Sequence, residues 1–112
     1  MMDDRLPVHL EVAGLIRSVQ AAGGFATVLQ KGERDAGVLC IVTMHNGANA
    51  CLWERMPQLD GSRKFVATRQ ENAENKGEFG EYLARRQGQD RDAWFVELDI
   101  GNPERFVDGA VA

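Results

Sequence analysis

The sequence contains none of the short motifs that would identify a catalytic or metal centre. With two cysteines and two histidines among 112 residues, it has no Cys-x-x-Cys or His-x-His spacing for a metal ion. It also has no Gly-x-Ser-x-Gly elbow to present a nucleophile. We therefore expect no catalytic residues, no metal and no cofactor. Whether the protein is an enzyme stays open, and the sequence favours a non-catalytic role.

A long apolar run and a strong charge of either sign are also missing. No stretch is apolar for long enough to span a bilayer, and the acidic start at residues 1–5 is unlike a signal peptide. The formal net charge of −4 gives no support to a nucleic-acid-binding protein, which normally carries a basic face. We expect a cytoplasmic protein with no membrane contact. Weak RNA binding through aromatic residues of a sheet and local basic residues is a further alternative, against which the acidic balance argues.

What the sequence does contain is the composition of an ordinary globular domain. Hydrophobic residues make up 44% and charged residues 27% of the chain. A chain of this length can bury one hydrophobic core without cross-links. We expect a single domain over residues 1–112, with its ordered part at about 6–107.

The hydrophobic pattern predicts seven elements in the order αββββαβ. An apolar stripe at helical spacing predicts a first helix at about 8–22, which ends at Gly23-Gly24; the stripe consists of Val8, Val12, Leu15, Ile16 and Val19. Strands are predicted at about 25–31, 38–44, 50–56, 64–68 and 93–100, and a second helix at about 78–87. The unbroken apolar run at 38–44 is typical of a central strand covered on both faces. The fold class is therefore α+β, a mostly antiparallel sheet of about five strands with two helices.

Asn46-Gly47 is the strongest local signal, because this pair favours a type I′ hairpin turn. A regular hairpin around it would pair Met44 with Asn49, Val42 with Cys51, and Cys40 with Trp53. Cys40 and Cys51 would then share a face as diagonal neighbours, beyond comfortable disulfide reach. We interpret both as core thiols. Trp53 is either a core residue or an exposed residue that marks a partner surface.

Three segments resemble one known family, and together they cover most of the chain. They are Gly14 to Ala26, the loop Lys31 to Gly37, and Glu81 to Leu98, which contains Glu-Tyr-Leu-Ala-Arg-Arg and Asp-Ala-Trp-Phe-Val-Glu-Leu. In this order and spacing the chain resembles domain of unknown function 1491, a family of small uncharacterised bacterial proteins. That family's loop more often has an acid-proline pair where this chain has Glu33-Arg34. The resemblance implies a fold and brings no activity.

The loop from Lys31 to Gly37 is the main candidate for a ligand site. Glycines let a backbone approach a ligand closely, and successive free N–H groups can hold an anion. The candidate ligand-binding residues are Lys31, Gly32, Arg34, Asp35 and Gly37, with Arg17 from the first helix. The loop lacks the Walker spacing of nucleotide-binding loops. The alternative is a hairpin whose turn needs glycine and aspartate for backbone reasons.

Two amphipathic helices that shared one face of a five-stranded sheet would leave the other face partly open. This predicts a homodimer through the open sheet face, or an unknown protein partner. The function we expect is a non-catalytic binding or protein-interaction module. The alternative is a protein or enzyme that binds a small anion or nucleotide at the Lys31–Gly37 loop.

Overall fold

The computed structural model describes residues 6–111 and places a five-stranded sheet between helices. The elements, in chain order, are α1 (Val8–Ala21), β1 (Phe25–Gln30), β2 (Leu39–His45), β3 (Ala48–Pro57), β4 (Arg63–Gln70), α2 (Lys76–Gln89), β5 (Trp94–Asp99) and α3 (Glu104–Val111). The predicted α+β class and the order αββββαβ are confirmed, and a third helix follows. None of the helices described is long and apolar enough to cross a membrane.

The strands lie in the order β1-β5-β2-β3-β4. The meander from β2 through β3 to β4 is antiparallel, as predicted. The last strand, β5, inserts between β1 and β2; it is antiparallel to β1 and parallel to β2, so the sheet is mixed. Because β5 separates β1 from β2, the segment from Lys31 to Gly37 crosses the start of β5. The interpretation of this segment as a hairpin turn is therefore wrong.

Helices cover both faces of the sheet. We call the buried cluster between the sheet, α1 and α3 the first core, and the cluster between the sheet and α2 the second core. The apolar stripe of α1 lies in the first core, as do all four alternating residues of the last strand region: Trp94, Val96, Leu98 and Ile100. The hypothesis of an open sheet face assumed that both predicted helices share a face, whereas α1 and α2 lie on opposite faces.

The central strand β2 explains why residues 38–44 read as one apolar run. Its residues alternate between the two cores, with Ile41 in the first and Cys40 and Val42 in the second. All five residues from Leu39 to Thr43 are buried. The predicted central strand covered on both faces is confirmed, because a strand with a core on each side has no polar face.

Polar contacts hold α2 on the second core. Within α2, only Phe79 is buried, and the partly buried Tyr82 and Leu83 pack beside it. Arg86 of α2 forms an ion pair with Glu54 of β3 at 2.5 Å. Arg69 of β4 pairs with Glu78 at 2.8 Å, and its guanidinium lies 4.4 Å from the ring centre of Tyr82. Ion pairs and a cation–π contact therefore supplement a narrow apolar contact.

The helix α3 was not predicted; the ordered part of the chain was expected to end at about residue 107. Pro103 precedes this helix, and Val107 is fully buried in the first core, where Phe106 packs beside it. Eight residues offer too few turns for helical periodicity to stand out. Tertiary packing of Phe106 and Val107 therefore determines this helix.

The hairpin between β2 and β3 has the predicted turn but a different register. Asn46 and Gly47 have φ values of 53° and 74°, as a type I′ turn requires. Asn49 also has a positive φ, 58°, and the pairing shifts there, so that Thr43 lies opposite Cys51 and Ile41 opposite Trp53. The predicted pairs beyond the turn are wrong by one residue, because a β-bulge adds one residue to β3.

The bulge changes the relation of the two cysteines. Cys40 lies in the second core, whereas Cys51 is paired with Thr43 on the face of α1. The prediction that they share a face is therefore wrong, and no disulfide can join them across the sheet. Both are free and buried, as predicted for core thiols. Burial, reinforced by Glu54, raises the pKa of Cys40 to about 12.

Candidate functional site

The loop from Lys31 to Gly37 packs tightly against the chain that enters β5. Glu33 donates its backbone N–H to the carbonyl oxygen of Asp92 at 2.8 Å, and the indole of Trp94 donates to the carbonyl oxygen of Glu33 at 2.7 Å. A Cβ atom on Gly37 would lie 2.6 Å from the carbonyl oxygen of Asp92, and one on Gly32 would overlap the same oxygen. Both glycines are needed for this close backbone approach.

The backbone amides that were predicted to bind an anion bind a carboxylate of the loop itself. Glu33 accepts hydrogen bonds from the backbone N–H groups of Asp35, at 3.0 Å, and Ala36. These are the successive amides that an external anion would need. The loop therefore binds the carboxylate of its own Glu33.

The carbonyl groups of the same loop cap α1. Val8 and His9 donate their backbone N–H groups to the carbonyl oxygens of Asp35 and Arg34, at 3.3 and 3.1 Å. The first N–H groups of a helix have no partner within the helix, so this contact satisfies two of them. The loop thus joins the start of α1 to the start of β5.

The predicted ligand-binding side chains do not converge. Lys31, Arg34 and Asp35 are exposed, and Arg34 contacts its neighbour Asp35 at 3.8 Å. Arg17 lies nine residues beyond the first residue of α1, about 13 Å along the helix axis from the end that the loop caps. The structure brings Asp35 close to His9, at 3.7 Å, and does not bring Arg17 to the loop.

A cavity of about 280 Å³ lies beside the second half of the loop. Its charged lining residues are Asp35, Glu11, Arg55 and Arg63. Arg55 is already paired with Glu11, at 2.6 Å, and lies over the ring of Phe65. Asp35 was among the predicted ligand-binding residues, whereas Glu11, Arg55 and Arg63 were not. The long β3–β4 hairpin carries Arg55 and Arg63 to the start of α1, and no local pattern predicts that approach.

A second cavity, of about 440 Å³, lies where β2 ends and α3 begins. Its lining includes His45, Asn49, Cys51, Trp53 and Glu104. Burial, reinforced by Glu104, raises the pKa of the Cys51 thiol, so the reactive thiolate is disfavoured. Trp53 is half-buried and donates to the Thr43 hydroxyl at 2.9 Å. It packs on the first core, as expected of a core residue.

One edge of the sheet, strand β1, is both exposed and uncharged. β1 is hydrogen-bonded to β5 on one side and ends the sheet on the other. Phe25 is 74% exposed, and Val28 and Leu29 are 39% and 36% exposed. The strand has no ionisable side chain and no proline. Its pairing with β5 is regular from Phe25 to Val28 and shifts only between Val28 and Gln30.

The opposite edge, strand β4, carries the charged residues that β1 lacks. It carries Arg63, Lys64 and Arg69, and Arg69 is also tied to α2 by its pair with Glu78. Charged residues, lysine above all, are the usual means by which proteins prevent a sheet edge from pairing with another chain. The two edges therefore differ in their capacity to accept a further strand, and β1 is the candidate functional site.

Glu97 lies next to this edge, on β5 opposite Thr27, and is half-buried. Desolvation, reinforced by Asp99, raises the pKa of its carboxyl. A raised pKa means that folding penalises the charged form, so the contribution of Glu97 to stability falls as the pH rises from the ordinary carboxyl range through the folded pKa.

We therefore expect Glu97→Gln to be more stable than the unmodified chain at pH 7, with the difference shrinking toward pH 4. Urea unfolding followed by circular dichroism at the two pH values measures this difference. Glu81→Gln, at an exposed position of α2, is the matched control and should leave the free energy of unfolding nearly unchanged at both. A Glu97→Gln protein no more stable than the control at pH 7 would contradict the expectation.

Comparison with known proteins finds a family and several solved structures of the same fold. A family model described as a protein of unknown function, DUF1491, matches residues 6–108. Two structures of a DUF1491 family protein from Caulobacter crescentus, one by crystallography and one by NMR, are each 28% identical and have TM-scores of 0.71 and 0.75. The crystal structure matches 91% of this chain and 94% of its own, and the NMR structure 91% and 92%.

A solution structure of a protein from A. tumefaciens is also similar to this chain. It is 28% identical, has a TM-score of 0.72 and matches 92% of each chain. No curated protein matches. The relatives are therefore bacterial, share the fold over nearly the whole of both chains, and carry no stated activity.

Proposed function

Because this chain belongs to the DUF1491 family, whose description assigns no function, we propose a function from its own geometry: a non-catalytic protein-interaction module whose binding element is the edge strand β1. An extended segment of a partner polypeptide adds to β1 as a further strand. In such strand addition, main-chain hydrogen bonds supply affinity and the side chains beside the edge supply specificity.

The observation that carries this proposal is the contrast between the two edges. β1 presents Phe25, Val28 and Leu29 to solvent with no charge among residues 25–30. β4 presents three cationic residues. A sheet edge without protection tends to pair with another chain, and its retention on one side only is expected where that pairing is the function.

The chemistry of the other candidate residues favours binding over catalysis. The raised pKa values of Cys40 and Cys51 disfavour a thiolate nucleophile. The alternative of an anion or nucleotide at the Lys31–Gly37 loop has less support, because Glu33 takes the amides that would hold the anion. Two free buried thiols suit a reducing compartment, so we place the protein in the cytoplasm.

The test is a selection of binding peptides from a random library of linear decapeptides, followed by affinity measurements on two variants. Val28→Lys introduces a charge on the β1 edge. Val66→Lys is the matched control, because Val66 lies on the β4 edge and is 40% exposed, against 39% for Val28. We expect selected peptides to bind the unmodified chain and Val66→Lys equally, and Val28→Lys about tenfold more weakly.

Two results would overturn the proposed function. One is a library that yields no binding peptide. The other is a set of peptides that bind Val28→Lys as tightly as they bind the unmodified chain, since their site then lies away from β1. Circular dichroism of both variants checks that the fold is intact.

A further inference from the structure

We propose that a second copy of this chain is a partner of β1, so that the two β1 strands pair antiparallel about a twofold axis. This inference rests on the proposed function, because it requires β1 to be the binding edge. The pairing would join two five-stranded sheets into one continuous sheet. A symmetric antiparallel contact uses the same surface on both copies and closes after two.

The sequence of β1 is complementary to itself in one register. Residues directly opposite each other in an antiparallel pair lie on the same face. The twofold axis must therefore lie midway between the two copies of one residue, which is then opposite itself. With Thr27 on the axis, Ala26 lies opposite the partner's Val28, within the part of β1 whose pairing with β5 is regular. The exposed Val28 of each copy then has an apolar partner, and Phe25 lies at the end of the contact, beside the bulge of the partner's β1. Thr27 faces its own copy, a favourable cross-strand pair.

Charge does not oppose the β1 contact. The chain has a formal net charge of −4, which opposes association in general, but β1 brings no ionisable group into the contact.

The alternative contact, β1 of one copy against β4 of the next, is less favourable. It would place Arg63, Lys64 and Arg69 at the contact. Such a contact also uses two different surfaces, so it extends into open chains of copies unless a rotation happens to close them. The β1–β1 contact therefore fits this chain better than any arrangement that uses β4.

Sedimentation velocity over a micromolar concentration series tests the dimer. We expect the unmodified chain and Val66→Lys to shift from the 12.4 kDa monomer to twice that mass as concentration rises. Val28→Lys should stay monomeric over the same range.

The outcomes separate the two proposals. If the unmodified chain stays monomeric while the selected peptides bind Val28→Lys more weakly, the dimer is overturned and the proposed function stands. A Val28→Lys protein that dimerises like the unmodified chain overturns the β1 contact. If the selected peptides bind Val28→Lys as tightly as the unmodified chain, the proposed function itself is overturned, whether the chain is a monomer or a dimer.

Discussion

Replacing Gly32 with alanine is expected to destabilise the fold by about 3 kcal/mol. A Cβ atom on this residue would overlap the carbonyl oxygen of Asp92 and lie 2.6 Å from the carbonyl carbon of Ala93. Both atoms are backbone, and Ala93 is buried directly before β5, so neither can move without disturbing an interior strand of the sheet. Denaturant unfolding followed by circular dichroism measures the loss.

Gly88→Ala is the matched control for Gly32→Ala. Gly88 lies in α2, and nothing would contact a Cβ atom there. Alanine is the better helix former, so this variant should gain about 0.5–1 kcal/mol. A Gly32→Ala chain that fails to fold is the extreme of the expected result. A Gly32→Ala chain that unfolds at the same denaturant concentration as the unmodified chain would contradict the close packing of the loop.

Replacing Phe95 with alanine is expected to cost about 3–5 kcal/mol. Phe95 is fully buried in the second core, and its strand pairs with β1 on one side and β2 on the other. Because α2 contributes few apolar side chains to this core, its Phe79, Tyr82 and Leu83 cannot easily fill the cavity that alanine would leave. The midpoint and the slope of denaturant unfolding give the free energy lost.

Phe25→Ala makes the same chemical change on the neighbouring strand. Phe25 is 74% exposed, so its replacement should alter the stability of the monomer by no more than about 0.5 kcal/mol. Unfolding is compared at a concentration where sedimentation shows monomers, which keeps association out of the measurement. Equal losses for the two variants would contradict the placement of β5 as an interior strand and β1 as an edge strand.

Several local features could be predicted from the sequence because neighbouring residues determine them. The stripe of α1 and the alternation of Trp94, Val96 and Leu98 both appear in the first core as expected. The Asn46-Gly47 turn also forms, since these residues readily take a positive φ. The predicted register beyond the turn was wrong by one residue, because β3 contains a β-bulge at Asn49 that the turn residues do not specify.

The candidate loop shows why residue types alone do not define a site. Its glycines, cations and acid suggested an anion-binding loop. Its contacts instead join the start of α1 to the start of β5, and Glu33 takes the free amides. Such contacts depend on Asp92 and Val8, which are distant in the chain, and no local pattern contains them.

The sequence alone gives the absence of charge from residues 25–30, and it predicts two helices and five strands, of which residues 25–30 form the first strand. These are local properties, set by side-chain periodicity and turn preference. Only the tertiary structure decided that β5 inserts between β1 and β2, which makes β1 an edge and exposes Phe25. The physical reason is that strand order depends on burying both faces of the most apolar strands, β2 and β5, and that requirement is met by packing across the whole chain.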